Sequence, residues 1–174
     1  MSTWKIDNLH SEVNFKVRHM MISNVSGGFA SFDATLTAEG EELSNPTFSF
    51  RADVDSLHTG VADRDGHLKS PDFFDASSFP TIEFTSTEVN KNGANWTIQG
   101  HMTIKGVTQP VCLNAEFAGI AVDPYGQTKA GLTFSGKILR SEFGLTWSAV
   151  TEAGNVVVGD EITLMSEAQF VRQA

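Results

Sequence analysis

The sequence predicts an all-β protein in which about eight strands close into one antiparallel barrel with a short helical insertion. Apolar and polar residues alternate along most of the chain, which is the pattern of half-buried strands. Turn sequences separate the alternating stretches, and Asn92-Gly93 favours the positive φ angles of a tight hairpin. A length of 174 residues suits a single domain covering residues 1–174. Closure into a barrel removes the exposed edges of a flat sheet.

Each predicted strand follows from one alternating stretch. Residues 13–18 place Phe15 and Val17 on one face. Within residues 28–38 the apolar face switches between Phe29 and Phe32, and we expect a β-bulge at that switch. The other strands are predicted at residues 47–54, 82–85, 96–104, 108–122, 128–140 and 157–172.

Residues 56–78 interrupt the alternation. Ser70, followed by Pro71 and Asp72, has the composition of a helix start, with Ser as N-cap and Pro at the first helical position. We therefore expect two short helices here, inserted between strands. They would carry Phe73 and Phe74 toward an opening of the barrel.

The predicted barrel interior is apolar, and it is wide enough either to be filled by side chains or to hold one small ligand. Thirteen Phe against one Tyr suit a dry interior. Small residues on predicted inward faces leave room for a cavity, although they could equally ease strand coiling; they are Gly100, Ala115, Gly119, Ala130 and Gly136. The candidate lining residues are Phe15, Val17, Phe32, Phe48, Phe50, Phe74, Ile82, Phe84, Met102, Ile104, Leu132, Phe134 and Ile138. Each could equally be a core residue, because a bulge would invert the facing.

Charge and composition disfavour several classes of partner. The net charge of −9 repels nucleic acid and anionic membrane surfaces. No apolar run is long enough for membrane insertion. Cys112 is the only cysteine, so no internal disulfide is possible. Residues 1–7 lack the features of a secretory signal, so we expect a cytoplasmic protein; a chain trimmed of its signal would be periplasmic and would look the same.

Two arrangements could support catalysis or metal binding. His10-Ser11, with Asp7 nearby, suggests a base and a nucleophile, but neighbours in a strand point to opposite faces, so a turn is the preferred interpretation. The five histidines form no compact ligand spacing, and we expect neither a metal nor a cofactor. An enzyme acting on a small amphiphile through His19, His58 or His67 remains the alternative.

Two arginines stand out in the pattern. Arg64 lies between Asp63 and Asp65, where it could form surface ion pairs, anchor the insertion, or meet a ligand head group such as a pyrophosphate. Arg140 stands where a long strand ends, and we expect it to fix the chain reversal there. Gly144 would supply a backbone angle that other residues resist.

Several motifs give the chain a resemblance to a known family. They are Trp4-Lys5-Ile6-Asp7, Gly27-Gly28-Phe29, His67-Leu68-Lys69-Ser70, Asp72-Phe73-Phe74-Asp75, Phe79-Pro80-Thr81-Ile82-Glu83-Phe84, Gly100-His101-Met102-Thr103-Ile104-Lys105-Gly106 and Arg140-Ser141-Glu142-Phe143-Gly144. With these motifs, which run nearly end to end, the chain resembles the YceI-like family of lipid-binding proteins.

The resemblance implies an extended, lipocalin-like barrel with a long central pore. It also implies a bound polyisoprenoid, such as a prenyl pyrophosphate or a quinone tail, and a homodimer. Many relatives carry a secretory signal, whose pattern residues 1–7 do not show, and the head group does not carry over from the family. The expected function is transport, storage or sequestration of a long-chain amphiphile, with scavenging of hydrophobic drugs as a further alternative. This expectation requires that Phe48, Phe84 and Phe134 do not interdigitate and fill the barrel.

Overall fold

The structure is a computed structural model that describes residues 1–20, 22–147 and 158–174. The strands are β1 Ser2–Ile6, β2 Glu12–His19, β3 Ser23–Phe29, β4 Phe32–Glu39, β5 Ser44–Asp53, β6 Leu57–His58, β7 Thr81–Asn92, β8 Asn95–Ile104, β9 Val107–Val122, β10 Thr128–Leu139 and β11 Val158–Arg172. The α-helix α1 spans Ala62–Lys69, and 3-10 turns cover Asn8–His10, Val54–Ser56 and Arg140–Phe143. The predicted start of the last strand at residue 157 lies outside the described residues.

The strand β11 closes the barrel. One of its edges pairs with β10, and the other pairs with β2 and then with β1. The strand β1 pairs in turn with β4, from which the sheet continues through β5, β7, β8 and β9 to β10. Three of the long barrel strands are each interrupted by a short break. The resulting pairs of segments are β1 with β2, β3 with β4, and β5 with β6. All these pairings are antiparallel, which confirms the predicted eight-stranded barrel with a helical insertion.

The expected bulge between Phe29 and Phe32 is wrong, because the chain leaves the strand there. The strand β3 ends at Phe29 and β4 begins at Phe32. The Ala30 N–H donates to the Ser56 carbonyl, and the Asp53 N–H donates to the Ser31 carbonyl. These hydrogen bonds to other segments fix the break between the two strands. The break allows β3 to pair with β2 while β4 pairs with β1.

The second predicted helix is also wrong. Ser70 ends α1 instead of starting a new helix, since its N–H and its hydroxyl both donate to the His67 carbonyl. The chain after it folds into turns, in which the N–H groups of Phe73 and Asp75 donate to the Ser70 carbonyl. Asp75 adopts a φ of 49°, which a right-handed helix does not allow.

The two ends of the barrel are packed differently. At the end opposite α1, which we call the far end, Trp96 stacks on Phe117 with ring centroids 5.2 Å apart. Trp4, Leu36 and Trp96 are almost fully buried in this core. The other end carries α1 together with the starts of β7 and β11, and we call it the insertion end. Side chains of the described residues fill the far end, and the interior cavity lies toward the insertion end.

The small inward residues do not create that space. A Cβ at Gly100 would lie 2.6 Å from Phe84 Cζ, and a Cβ at Gly136 would lie 2.6 Å from Leu113 Cδ2. Both glycines therefore accommodate a neighbouring large side chain. Ala115 and Ala130 are buried in the core, and Gly119 has a φ of 120° beside a register shift in β9. The interpretation of these residues as cavity formers is therefore wrong.

Candidate functional site

A cavity of about 380 Å³ lies inside the insertion end of the barrel. Its walls come from β1 to β5 and from β7 to β11, and its surface is almost entirely apolar. Two segments outside the strands form its roof: α1 with the turn that follows it, and residues 140–147. Small-molecule sites typically have volumes of about 300–1,000 Å³ and apolar linings of this kind. The cavity is therefore the candidate ligand site.

Most of the predicted lining residues border this cavity: Phe15, Val17, Phe48, Phe50, Phe74, Ile82, Phe84, Met102, Ile104, Phe134 and Ile138. Phe32 and Leu132 do not. Leu132 is 2% exposed and packs in the core, and Phe32 is buried near the break that precedes β4. Alternation identifies which residues of a strand face inward. Whether an inward residue borders the cavity or packs in the core depends on its position along the barrel axis. That the lining residues contact a ligand stays a prediction.

Sequence reasoning missed several lining residues, and two groups of them show why. The first group lies on the inward face of β11, where the alternation of the sequence could have identified it: Ile162, Leu164, Ala168 and Phe170. The second group includes Leu145 and Trp147 in the roof. These two lie outside any strand, so alternation carries no information about them.

Three phenylalanines form the floor of the cavity. Phe48 meets Phe134 edge to face with ring centroids 5.6 Å apart, and Phe170 lies 6.2 Å from Phe48 and 6.5 Å from Phe134. Edge-to-face arrangements at these distances are favourable for aromatic rings. The three rings close the far end of the space while Phe84 borders it from β7. Thus Phe48 and Phe134 do touch, yet they leave a cavity above them.

The roof is held together by an aromatic cluster. The imidazole of His67 lies 4.8 Å from the Trp147 ring and 5.1 Å from the Phe73 ring, measured between centroids. The rings of Phe73 and Trp147 are 5.3 Å apart. His67 Nε2 also lies 2.9 Å from a carboxylate oxygen of Asp72. The cluster joins the α1 segment to residues 140–147 above the cavity.

Arg140 fixes the second roof segment. It is 6% exposed, and its guanidinium donates to the carbonyls of Leu145, Trp147, Val158 and Gly159. Burial lowers the pKa of Arg140, while the charge of Asp160 acts in the opposite direction. Gly144 has a φ of 76° at the chain reversal. The structural roles expected for Arg140 and Gly144 are confirmed.

The suggested nucleophile at His10-Ser11 is not assembled. The Ser11 hydroxyl accepts from the backbone N–H of Gln169 at 2.9 Å. His10 Nδ1 lies 2.8 Å from Asp7 Oδ2, and neither His10 nor Ser11 borders the cavity. The ammonium group of Lys129 is the main cause that lowers the pKa of Asp7 to about 2. This group is an ion-pair cluster between β1 and β10.

Two features that would indicate other functions are absent from the described residues. Within residues 1–20, 22–147 and 158–174, no three His, Cys, Asp or Glu side chains are grouped so that they could hold a metal ion. In the same ranges, no helix has the length and apolar character needed to cross a membrane.

Comparison with known proteins identifies the family. A family model described as the YceI-like domain matches residues 4–170. The chain belongs to the YceI-like family. Protein YceI of Salmonella newport is 36% identical over 172 residues, which cover 98% of this chain and 87% of the relative. The resemblance inferred from the sequence motifs is therefore confirmed.

Solved structures with the same fold agree with this assignment. The Campylobacter jejuni YceI protein is 30% identical to this YceI-like chain, with a TM-score of 0.76 and coverage of 90% of both chains. A polyisoprenoid binding domain from Saccharophagus degradans has a TM-score of 0.73 at 12% identity, and the match covers 98% of each chain. At that identity, the second comparison shows a shared fold.

Proposed function

We propose that this YceI-like chain binds a long-chain amphiphile in the barrel cavity, for transport, storage or sequestration. The proposed ligand is a polyisoprenoid, such as a prenyl pyrophosphate or a lipid with a quinone head and a prenyl tail. The observation that carries the proposal is the apolar cavity with its aromatic floor and its roof. The fold shared with a polyisoprenoid binding domain supports the same choice of ligand.

The physical basis of binding is removal of the tail from water. Each CH₂ group transferred out of water contributes about 0.8 kcal/mol. The carbon-rich lining accepts these groups without requiring polar contacts from the tail. We therefore expect affinity to rise with tail length until the cavity is full.

The titratable side chains that border the cavity favour a binding protein over an enzyme. Catalysis on a small amphiphile would need at least two titratable groups that converge on the substrate. His19 and His67 border the cavity, whereas His58 borders a separate, more open depression. His67 is packed between aromatic rings and bonded to Asp72. The enzyme alternative predicts turnover of the extracted amphiphile, and the binding protein predicts its recovery unchanged.

One experiment tests the proposal directly. The purified protein is extracted with organic solvent and the extract is analysed by mass spectrometry, and a fluorescent prenyl probe is titrated into the delipidated protein. We expect an amphiphile in the extract, or saturable uptake of the probe at one site per chain. Absence of both would contradict the proposal. Competition between the probe and hydrophobic drugs would separate a prenyl carrier from a drug scavenger, because a scavenger binds the drugs at least as tightly.

We also propose a homodimer, as the family resemblance implies. Light scattering coupled to size-exclusion chromatography would give twice the chain mass of 18.9 kDa for a dimer. A single species at the chain mass across micromolar concentrations would contradict it.

A further inference from the structure

The interior of the barrel is open along only part of its length. The cavity lies above the floor formed by Phe48, Phe134 and Phe170. Below that floor, the stacked rings of Trp96 and Phe117 belong to the packed core of the far end. The family resemblance implies a long central pore, whereas in this chain aromatic side chains of the described residues interrupt the pore. The interruption limits how far a tail can reach into the barrel.

Phe48 is the central ring of the floor. It meets Phe134 and Phe170, and its ring centroid also lies 6.4 Å from that of Trp96 in the far-end core. Phe48 is 7% exposed, while Phe170 and Trp96 are almost fully buried. Because protein interiors are packed as densely as organic crystals, the Phe48 ring cannot turn aside without displacing these buried neighbours. The floor is therefore a fixed end of the cavity.

The walls give the tail no room to extend sideways. Gly100 and Gly136 face inward, but Phe84 and Leu113 occupy the space beside them. The roof closes the opposite end through the aromatic contacts of His67. The cavity volume therefore sets how much of a tail can be enclosed.

That volume corresponds to a short prenyl chain. A dry protein cavity of about 150 Å³ holds benzene, so each of its six carbons takes about 25 Å³. At the same density, the cavity of about 380 Å³ encloses about 15 carbons, or about three isoprene units. The six-carbon ring of Phe48 occupies about as much space as one further isoprene unit.

We infer that the aromatic floor selects amphiphiles by tail length, and that Phe48 sets the limit at about three isoprene units. The inference rests on the proposed function, because it assumes that the cavity holds the tail. Carbons inside the cavity leave water and add to the affinity, whereas carbons beyond its capacity stay in water and add little. The preferred ligand is then a short prenyl amphiphile rather than a long polyprenyl chain.

The test compares ligands that share one head group and differ in tail length. Prenyl diphosphates with tails of two, three, four and five isoprene units compete separately against a fluorescent prenyl probe on the full chain. For the wild type, we expect the affinity to rise by at least about 100-fold from two units to three, because each added carbon is enclosed. Each unit beyond the third should raise the affinity by less than about 3-fold.

Substitution Phe48→Ala should move this limit. It opens the floor to a fourth isoprene unit, so the affinity should rise by at least about 10-fold from three units to four. Phe32→Ala removes the same ring from a buried position that does not border the cavity, and it should keep the wild-type dependence on tail length. Should Phe48→Ala fail to fold, Phe134→Ala should move the limit in the same direction, because it removes a half-buried ring from the same floor.

The outcomes separate this inference from the proposed function. Gains of about 10-fold or more for every unit up to five in the wild type would overturn the inference and leave the proposed function standing. The wild-type limit in a folded floor variant would overturn it in the same way. If no tail length displaces the probe, the proposed function itself is contradicted.

Discussion

His67 and Trp147 meet with ring centroids 4.8 Å apart and planes at 84°, and this contact joins the two roof segments of the cavity. One ring belongs to α1 and the other to the segment that Arg140 fixes. Neither segment is part of the sheet, whose hydrogen bonds hold the walls. Separation of the two segments would open the cavity without breaking the barrel. We therefore expect the roof to control how fast a ligand enters and leaves.

Substitution Trp147→Ala should accelerate ligand release. An aromatic pair contributes about 0.5–1.5 kcal/mol beyond the area it buries. Its loss should raise the dissociation rate of a prenyl probe by about 2- to 10-fold, as measured by stopped-flow displacement. Tyr125→Ala is the matched control, because that ring is 90% exposed in the turn between β9 and β10. An unchanged release rate in Trp147→Ala would show that ligands do not leave through the roof.

Substitution Arg140→Met should destabilise the protein. It leaves four backbone carbonyls without their donor, and a buried polar group without a partner costs about 1–3 kcal/mol. Since some of these carbonyls can turn to water, we expect a total loss of about 3 kcal/mol in the free energy of unfolding. Urea denaturation measures it. Arg172→Met, at an exposed position of β11, should change the stability by less than about 0.5 kcal/mol. Similar values for both variants would mean that Arg140 does not anchor the roof.

Asp7 should contribute stability that depends on pH. Its pKa is about 2 in the folded protein against an ordinary value of 3.8. Because the folded value is the lower one, the contribution is complete above about pH 4 and is lost as the pH falls toward about 2. Asp7→Asn should lower the free energy of unfolding by about 2 kcal/mol at neutral pH, with the difference from wild type disappearing near about pH 2.

The control for Asp7 is Asp33→Asn. Asp33 pairs with Lys5 at 3.7 Å, but its side chain is 60% exposed. Exposed ion pairs contribute little, so this variant should follow the wild-type pH profile. A constant difference between Asp7→Asn and wild type from pH 2 to 7 would contradict the role assigned to the Asp7 carboxylate.

The strands were predictable because their signal is local. Inward and outward residues alternate in a half-buried strand, so Phe48 and Phe50 are identified as inward residues without knowledge of their neighbours. Leu132 satisfies the same pattern but packs in the core, because its height in the barrel depends on how the strands are staggered. The role of Gly100 could not be predicted from the sequence for a similar reason. The space beside it is taken by Phe84, a residue of the adjacent strand.

The roof was only partly predictable. The insertion was expected to bring Phe73 and Phe74 to an opening, and both border the cavity. The prediction of a second helix was wrong because a Ser-Pro-Asp sequence suits both the start of a helix and an ordinary turn. Nothing in the local pattern indicates that Trp147 meets His67, because that contact joins segments far apart in the chain.

The most direct test of the central claim is to fill the cavity. Ala34 borders it and is 8% exposed, so Ala34→Phe would place a ring inside the space. Ala118→Phe adds the same ring at an exposed position of β9 and serves as control. Titration with a fluorescent prenyl probe should show binding at least about 10-fold weaker in Ala34→Phe, with Ala118→Phe unchanged and both variants folded. Wild-type affinity in a folded Ala34→Phe protein would contradict the claim that the tail lies inside the barrel.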